Sequence, residues 1–196
     1  MTLTKKQIAA IQRVIINCVS DPRHKDMSGE APVSDGIIIT DGHVLLHAPE
    51  SLGFKQQNES DSKSAERMNK YSHAAFDDYG ADFYRVEEPI PNGKSSSKLR
   101  VMLKEHTFMS DDGQHVVVSL SSHDIRGDEV WSVFDYGNLV NAFEAVGKDA
   151  IAYIGNSANL HCPEPYLIIE PEYDYGNLSQ GIHAVVMPCR TSRRKP

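Results

Sequence analysis

The sequence predicts an α+β domain in which two helices pack on one face of a curved antiparallel sheet built from two similar halves. Three observations carry this expectation. A helical apolar pattern opens the chain over residues 4–19, a second recurs over residues 136–146, and short β-patterned segments bounded by turn signals follow each of them. The order is thus helix, strands, a polar insertion, strands, helix, strands, which suits segregated layers better than alternating parallel units.

The first helix has a start signal and a periodic face. Thr4 can act as N-cap with Gln7 at the third helical position, and Ile8, Ile11, Ile15 and Val19 recur at helical spacing. Leu3 and Ile8 suit a hydrophobic staple, Lys5, Gln12 and Arg13 take the opposite side, and Asp21-Pro22 ends the element. Residues 36–48 then predict two strands broken at Asp41-Gly42, because Asp-Gly between apolar runs is a strong hairpin signal. One long strand with a bulge at Gly42 is the alternative, and either places Asp41 and His43 at a chain bend.

Residues 50–98 differ in character. The stretch 55–69 is rich in Gln, Asn, Ser, Asp and Lys, and Pro89-Ile90-Pro91-Asn92-Gly93 with Ser95-Ser96-Ser97 closes the region. It is too long for an ordinary loop and is expected to be a surface insertion. Its aromatics Tyr71, Phe76, Tyr79, Phe83 and Tyr84 are expected to fold a short helix back onto the body.

A strand-rich half follows. Strands are expected over 99–103, over 115–120 after an Asp111-Asp112-Gly113 turn, and over 129–134. Asp135 then caps a helix over 136–146 whose apolar face is Leu139, Ala142, Phe143 and Val146, and Gly147 stops it. The closing strands are expected over 150–154, 159–162, 166–171 and 183–187.

Length and composition fit a single domain over residues 1–196 with the insertion at about 50–98. The chain is 40% hydrophobic and 24% charged, ordinary values for a globular protein. Its longest apolar runs, such as Ile37-Ile38-Ile39 and Val116-Val117-Val118, fall far short of the roughly 20 residues a membrane helix needs. The N-terminus lacks an apolar core and a cleavage site for secretion, so a cytoplasmic location is expected. Cys18, Cys162 and Cys189 form neither a disulfide framework nor a metal-ligand pair. The net charge of −7 argues against a surface that coats nucleic acid throughout, yet leaves room for a local basic patch. Arg190, Arg193, Arg194 and Lys195 make the tail basic, whereas residues 164–174 are acidic.

Catalytic signals are weak. His43 and His47 are four residues apart, which on a strand separates them by about 13 Å, too far to share one ion. Asp41 with His43 could begin a metal-dependent hydrolase site, but no third ligand can be named. There is no G-x-S-x-G elbow and no phosphate-binding G-x-x-x-x-G-K motif, and Gly155-Asn156-Ser157 lies between strands rather than before a helix. Asp77-Asp78 and Asp111-Asp112 fit solvated turns, and Trp131 fits core packing. No cofactor is expected.

Two segments resemble the bacterial sliding clamp, the β subunit that tethers the replicative polymerase to DNA. Thr40-Asp41-Gly42-His43-Val44-Leu45 is similar to the family's T-D-G-H-R-L, and Ala184-Val185-Val186-Met187-Pro188-Cys189-Arg190 is similar to its closing V-V-M-P-M-R. Between them, residues 136–162, including Ile154-Gly155-Asn156-Ser157-Ala158-Asn159, resemble the helix and following strands of one clamp domain. The resemblance implies a DNA-clamp-like fold and a pocket for a short peptide from replication proteins. Thr40, Gly42, His43 and Leu45 would form one side of it, and Val185, Val186, Met187 and Pro188 the other. An apolar floor of Val and Met suits Leu or Phe anchors. The family's Arg is Val44 here, and its two motifs lie on adjacent domains of a longer chain.

The expected function is that of a phage-like clamp accessory in DNA replication, a non-enzyme acting through protein contacts. It would assemble into a homo-oligomeric ring or act as one domain, with weak duplex DNA contact through Lys5, Lys6 and Arg13. A monomeric interaction or inhibitor module that does not encircle DNA is the alternative. A small metal-dependent hydrolase using Asp41 and His43 is the reading from another class.

Overall fold

The expected capping box forms at the start of the first helix. The Thr4 amide donates to Gln7 Oε1 at 3.0 Å and the Gln7 amide donates to Thr4 Oγ1 at 3.3 Å, so two donors that the helix leaves orphaned are satisfied. This helix, α1, spans Lys5–Ser20 in a computed structural model of the chain, which describes residues 2–20, 29–56, 62–76, 82–86, 96–110, 113–147, 149–156, 162, 164–172, 178 and 180–189. Its buried face is Ala10, Ile11, Val14 and Ile15. Ile8 and Ile16 are exposed instead, so the apolar stripe is rotated from the one that Ile8, Ile11 and Ile15 suggest.

The elements that follow are β1 (Gly29–Val33), β2 (Gly36–Thr40), β3 (Val44–Pro49), α2 (Ser62–Phe76), β4 (Phe83–Arg85), α3 (Ser96–Glu105), β5 (Thr107–Met109), β6 (Val116–His123), β7 (Glu129–Asp135), α4 (Tyr136–Val146), β8 (Ala150–Gly155), β9 (Tyr166–Pro171) and β10 (His183–Val186). Seven strands form one antiparallel sheet in the order β1-β2-β3-β10-β9-β8-β4, and three form a second in the order β5-β6-β7. The chain is therefore α+β, with four α-helices among the described residues.

Both faces of the large sheet are covered, and strand alternation sorts the side chains between them. Ile39, Leu46, Leu167, Ile169, Ala184 and Val186 point to the face that carries α1 and α4, as the sequence predicts for these two helices. Ile38, Leu45, Tyr166, Ile168 and Val185 point to the opposite face, where they meet Ala75 of α2 and Phe83 of β4. This double burial explains why β3 and β9 read as nearly continuous apolar runs.

α4 begins where Asp135 Oδ1 accepts from the Asn138 amide at 2.9 Å, and ends at Gly147, whose φ of 111° suits glycine. Gln7 of α1 donates through Nε2 to the carbonyls of Ala145 and Val146, so one helix caps the other. Val118, Leu120 and Phe134 of the small sheet and Leu103 of α3 join the same core. α4 is enclosed as a result, and among its residues only Gly137 is exposed.

Four expectations are corrected. Residues 99–103 belong to helix α3, not to a strand. β1 lies before residue 36, where no strand is expected; it is an edge strand, so Pro32 interrupts no ladder partner on its open side. The stretch 55–69 is not wholly at the surface, because Ser64 and Met68 on α2 are buried. The insertion also adds β4 to the large sheet, pairing Phe83 with Gly155; a Cβ on Gly155 would sit 2.1 Å from the Asp82 carbonyl oxygen. Trp131 is half-buried in β7, opposite Ser121. The expectations for Asp21-Pro22, Asp77-Asp78, Tyr79, Asp111-Asp112, residues 159–161 and the basic tail from Arg190 onward lie outside the described residues.

Candidate peptide-binding surface at the β3–β10 pair

The hairpin that carries Thr40 to Leu45 is built by its own side chains. Asp41 Oδ1 accepts from the amides of His43 and Val44 at 2.9 and 2.8 Å, and Thr40 Oγ1 accepts from the Gly42 amide at 3.1 Å. Gly42 has φ of 86°, in the left-handed region where a side chain is strained. Asn17 of α1 donates to Asp41 Oδ2 at 3.4 Å and ties the turn to the helix. β2 and β3 then pair with Thr40 opposite Leu45, as the Asp-Gly signal predicts.

β10 lies directly beside β3. Val185 faces Leu45, Val186 faces Val44, and the Met187 amide continues the ladder by donating to the His43 carbonyl at 2.8 Å. The two segments, nearly the whole chain apart in sequence, thus meet on neighbouring strands. Their side chains do not all share one face. Leu45 and Val185 belong to the α2 face with Met187 beside them, whereas Val44 and Val186 belong to the core under α1 and α4. Val186 therefore cannot line a groove with Val185.

Burial divides the set further. Thr40, Leu45, Val185 and Val186 are buried, Gly42, Met187 and Pro188 are half-buried, and His43 is exposed. The C-terminal half of α2 shares the cluster that buries Leu45 and Val185, through Ala75 and the half-buried Tyr71, Ala74 and Phe76. Tyr71 Oη donates to Met187 Sδ at 3.1 Å, and Tyr166 Oη donates to the Ala75 carbonyl at 3.0 Å. Phe76 sets its ring edgewise to His47 and to His183, with centroids 6.4 Å away in each case. Tyr71 and Phe76 stand out in the sequence as aromatics, but their place against β3 and β10 has no local signal.

Two histidines sit beneath Phe76. His47 on β3 and His183 on β10 are register partners, both buried, and His47 Nε2 lies 3.1 Å from Asp35 Oδ1. Burial pulls His183 down from 6.5 to about 4, and nearby His47 adds to the effect against a backbone hydrogen bond with Gly181. Among the described residues no group of three or more His, Cys, Asp or Glu side chains is placed to hold a metal ion. The Asp41 carboxylate is committed to its turn.

The residues expected to touch DNA are divided as well. Lys5 and Lys6 are exposed at the start of α1. Arg13 instead pairs through its guanidinium with Glu144 of α4, and Arg100 of α3 donates through Nε to the same carboxylate at 2.7 Å. Among the described residues no helix is long and apolar enough to cross a membrane. No protein-family model matches the chain, and no curated protein matches it.

Proposed function

We propose that the chain is a clamp-like accessory of DNA replication that works by binding a short peptide of a partner protein at the β3–β10 pair. The observation that carries this reading is the pairing itself: Thr40 to Leu45 and Val185 to Pro188, the segments that resemble the clamp's peptide pocket, adjoin across one ladder. The strand order supports it too. α1-β1-β2-β3 and α4-β8-β9-β10 each run as a helix and three strands, and their last strands meet at the centre of β1-β2-β3-β10-β9-β8. We read these as the two similar halves of a clamp-like domain. Met187 and Pro188 supply half-buried apolar contact above the buried Leu45 and Val185, and Gly42 and His43 supply a rim. The site is a binding surface without a reaction, and its partners are cytoplasmic replication proteins.

A second reading, a monomeric interaction module that does not encircle DNA, is favoured by one specific feature. α4 offers almost no exposed surface, and Arg13 is neutralised by Glu144. Of the three residues expected to touch DNA, Lys5 and Lys6 are exposed and Arg13 is paired, so these positions offer few phosphate contacts, which fade as salt rises.

Light scattering after size-exclusion chromatography separates these readings when combined with two titrations. A labelled peptide bearing Leu and Phe anchors is expected to bind, and duplex DNA is expected to bind weakly and only at low salt. A concentration-dependent ring would favour the processivity role, and a peptide-binding monomer the interaction module. Absence of peptide affinity in every oligomeric state would refute the proposal.

A further inference from the structure

The geometry points to α2 as a built-in occupant of the β3–β10 surface, so that a partner peptide gains the apolar floor only when α2 withdraws. The inference rests on the peptide-binding reading above and adds its regulation. Three observations carry it.

The first is position. Leu45 and Val185 are buried in one cluster with Ala75 of α2, against which Tyr71 and Phe76 also pack, and Met187 takes the Tyr71 phenol on its sulfur. A peptide anchor reaching Val185 meets α2 first.

The second is chemistry. The floor is made of large apolar side chains: Ile38, Leu45, Tyr166, Ile168 and Val185. Of α2, Ser64, Met68, Ser72 and Ala75 are fully buried, whereas its large aromatics Tyr71 and Phe76 pack against this floor only half-buried. Small and hydroxyl-bearing side chains give less burial energy per helical turn than the Leu or Phe that would fit the same floor. α2 therefore covers the floor without fully burying any large side chain on it, and a competitor that seats Leu or Phe fully has more burial to gain.

The third is the underside of Phe76. Its ring packs half-buried against the apolar cluster and also meets the buried pair His47 and His183, two polar rings, edge-on. Tyr71 and Phe76 are thus aromatic anchors of α2 that stay half-buried, one against a thioether and the other beside two polar rings. A covering element lowers apparent affinity by the fraction of time it is closed, and weakening the cover recovers that loss.

The test uses the full chain and a fluorescein-labelled peptide carrying Leu and Phe anchors. Tyr71→Ala combined with Phe76→Ala is expected to bind it about tenfold more tightly than the unaltered protein. Tyr71→Phe, which removes only the hydrogen bond to Met187, keeps the fold in case the double variant does not form, and is expected to bind about two- to threefold more tightly. Hydrogen exchange supplies the second readout: peptide should speed exchange of the amides of residues 62–76 in the unaltered protein. Equal affinity for Tyr71→Phe and the unaltered chain, with α2 equally or better protected when peptide is bound, would overturn the covering role and leave peptide binding standing. Binding of the peptide to none of these proteins would overturn both.

Discussion

Tyr71 and Met187 join the insertion to the closing strand: the phenol donates to the thioether sulfur at 3.1 Å, across 116 residues of sequence. Burial, with Cys162 adding to it, pushes the Tyr71 phenol well above its ordinary range. The group therefore stays protonated and remains a donor at any ordinary pH. Sulfur is a weak acceptor, so the bond orients the ring and adds modestly to the anchoring of α2. The candidate surface and the element that covers it meet at this contact.

Glu144 organises the helical side of the molecule. Its carboxylate is almost fully buried and receives Arg13 from α1 and Arg100 from α3, both about half exposed. Glu144→Gln should destabilise the fold by about 1–3 kcal/mol in urea unfolding, less than for a fully buried ion pair because water screens the guanidinium groups. The same change releases two cations. Duplex DNA binding at low salt should then strengthen, and the slope of log K against log salt should steepen by up to about two phosphate contacts. An unchanged slope would mean that neither arginine reaches a phosphate.

Acid should loosen the α2 side first. His183 titrates at about 4 in the fold against 6.5 when unfolded, so between these values the unfolded chain binds the extra proton. Stability contributed by neutral His183 is present above pH 6.5 and is lost as pH falls towards 4, by about 3 kcal/mol in all. Melting curves over this range should fall more steeply for the unaltered protein than for His183→Leu, which has no proton to gain. Parallel curves would show that His183 is not the titrating group.

Much of this fold is legible in the sequence where local chemistry is decisive. Thr4 with Gln7, Asp41-Gly42, Asp135 and Gly147 each mark a boundary, and the elements beside them lie where the pattern places them. The misses share a cause. The run Leu99 to Leu103 fits a helix by its i, i+4 ends as well as it fits a strand, and a short apolar run does not decide between them. β1 holds Gly29, Glu30 and Pro32, poor strand formers tolerated because the strand is at an edge. The face that α2 buries is largely Ser and Ala, so its amphipathicity is faint. At the candidate site, motif order suggested that residues 40–45 and 185–188 meet. Which sheet face each side chain takes, and that α2 covers one of them, depends on tertiary packing that no local pattern encodes.

The hairpin offers a check on the scaffold itself. Asp41→Ala removes the acceptor of two backbone amides in a buried turn and should cost about 1–3 kcal/mol. Gly42→Ala forces a side chain into the left-handed region at φ of 86° and should cost about 1–2 kcal/mol. Because both act on the turn, their effects should not add, and the double variant in urea unfolding should fall short of the sum. Strict additivity would indicate that Asp41 stabilises something other than this turn.

Met187→Ala puts the candidate surface at risk. Met187 is half-buried at the end of the ladder, with its side chain on the α2 face and its amide on the His43 carbonyl. As a core residue, its truncation would cost about 2–5 kcal/mol of stability. As an interface anchor, it would cost about 1–3 kcal/mol of peptide binding and distinctly less stability. The contact with Tyr71 complicates a single substitution, because losing the sulfur also frees the phenol and loosens α2, which favours peptide entry. Making the same change in a Tyr71→Phe background removes that term, since the hydrogen bond is already gone there. The expected result is a larger loss of peptide affinity for Met187→Ala in Tyr71→Phe than in the unaltered chain, read by fluorescence anisotropy beside melting curves. A melting temperature that collapses in both backgrounds while peptide affinity stays the same would assign Met187 to the core and remove it from the surface.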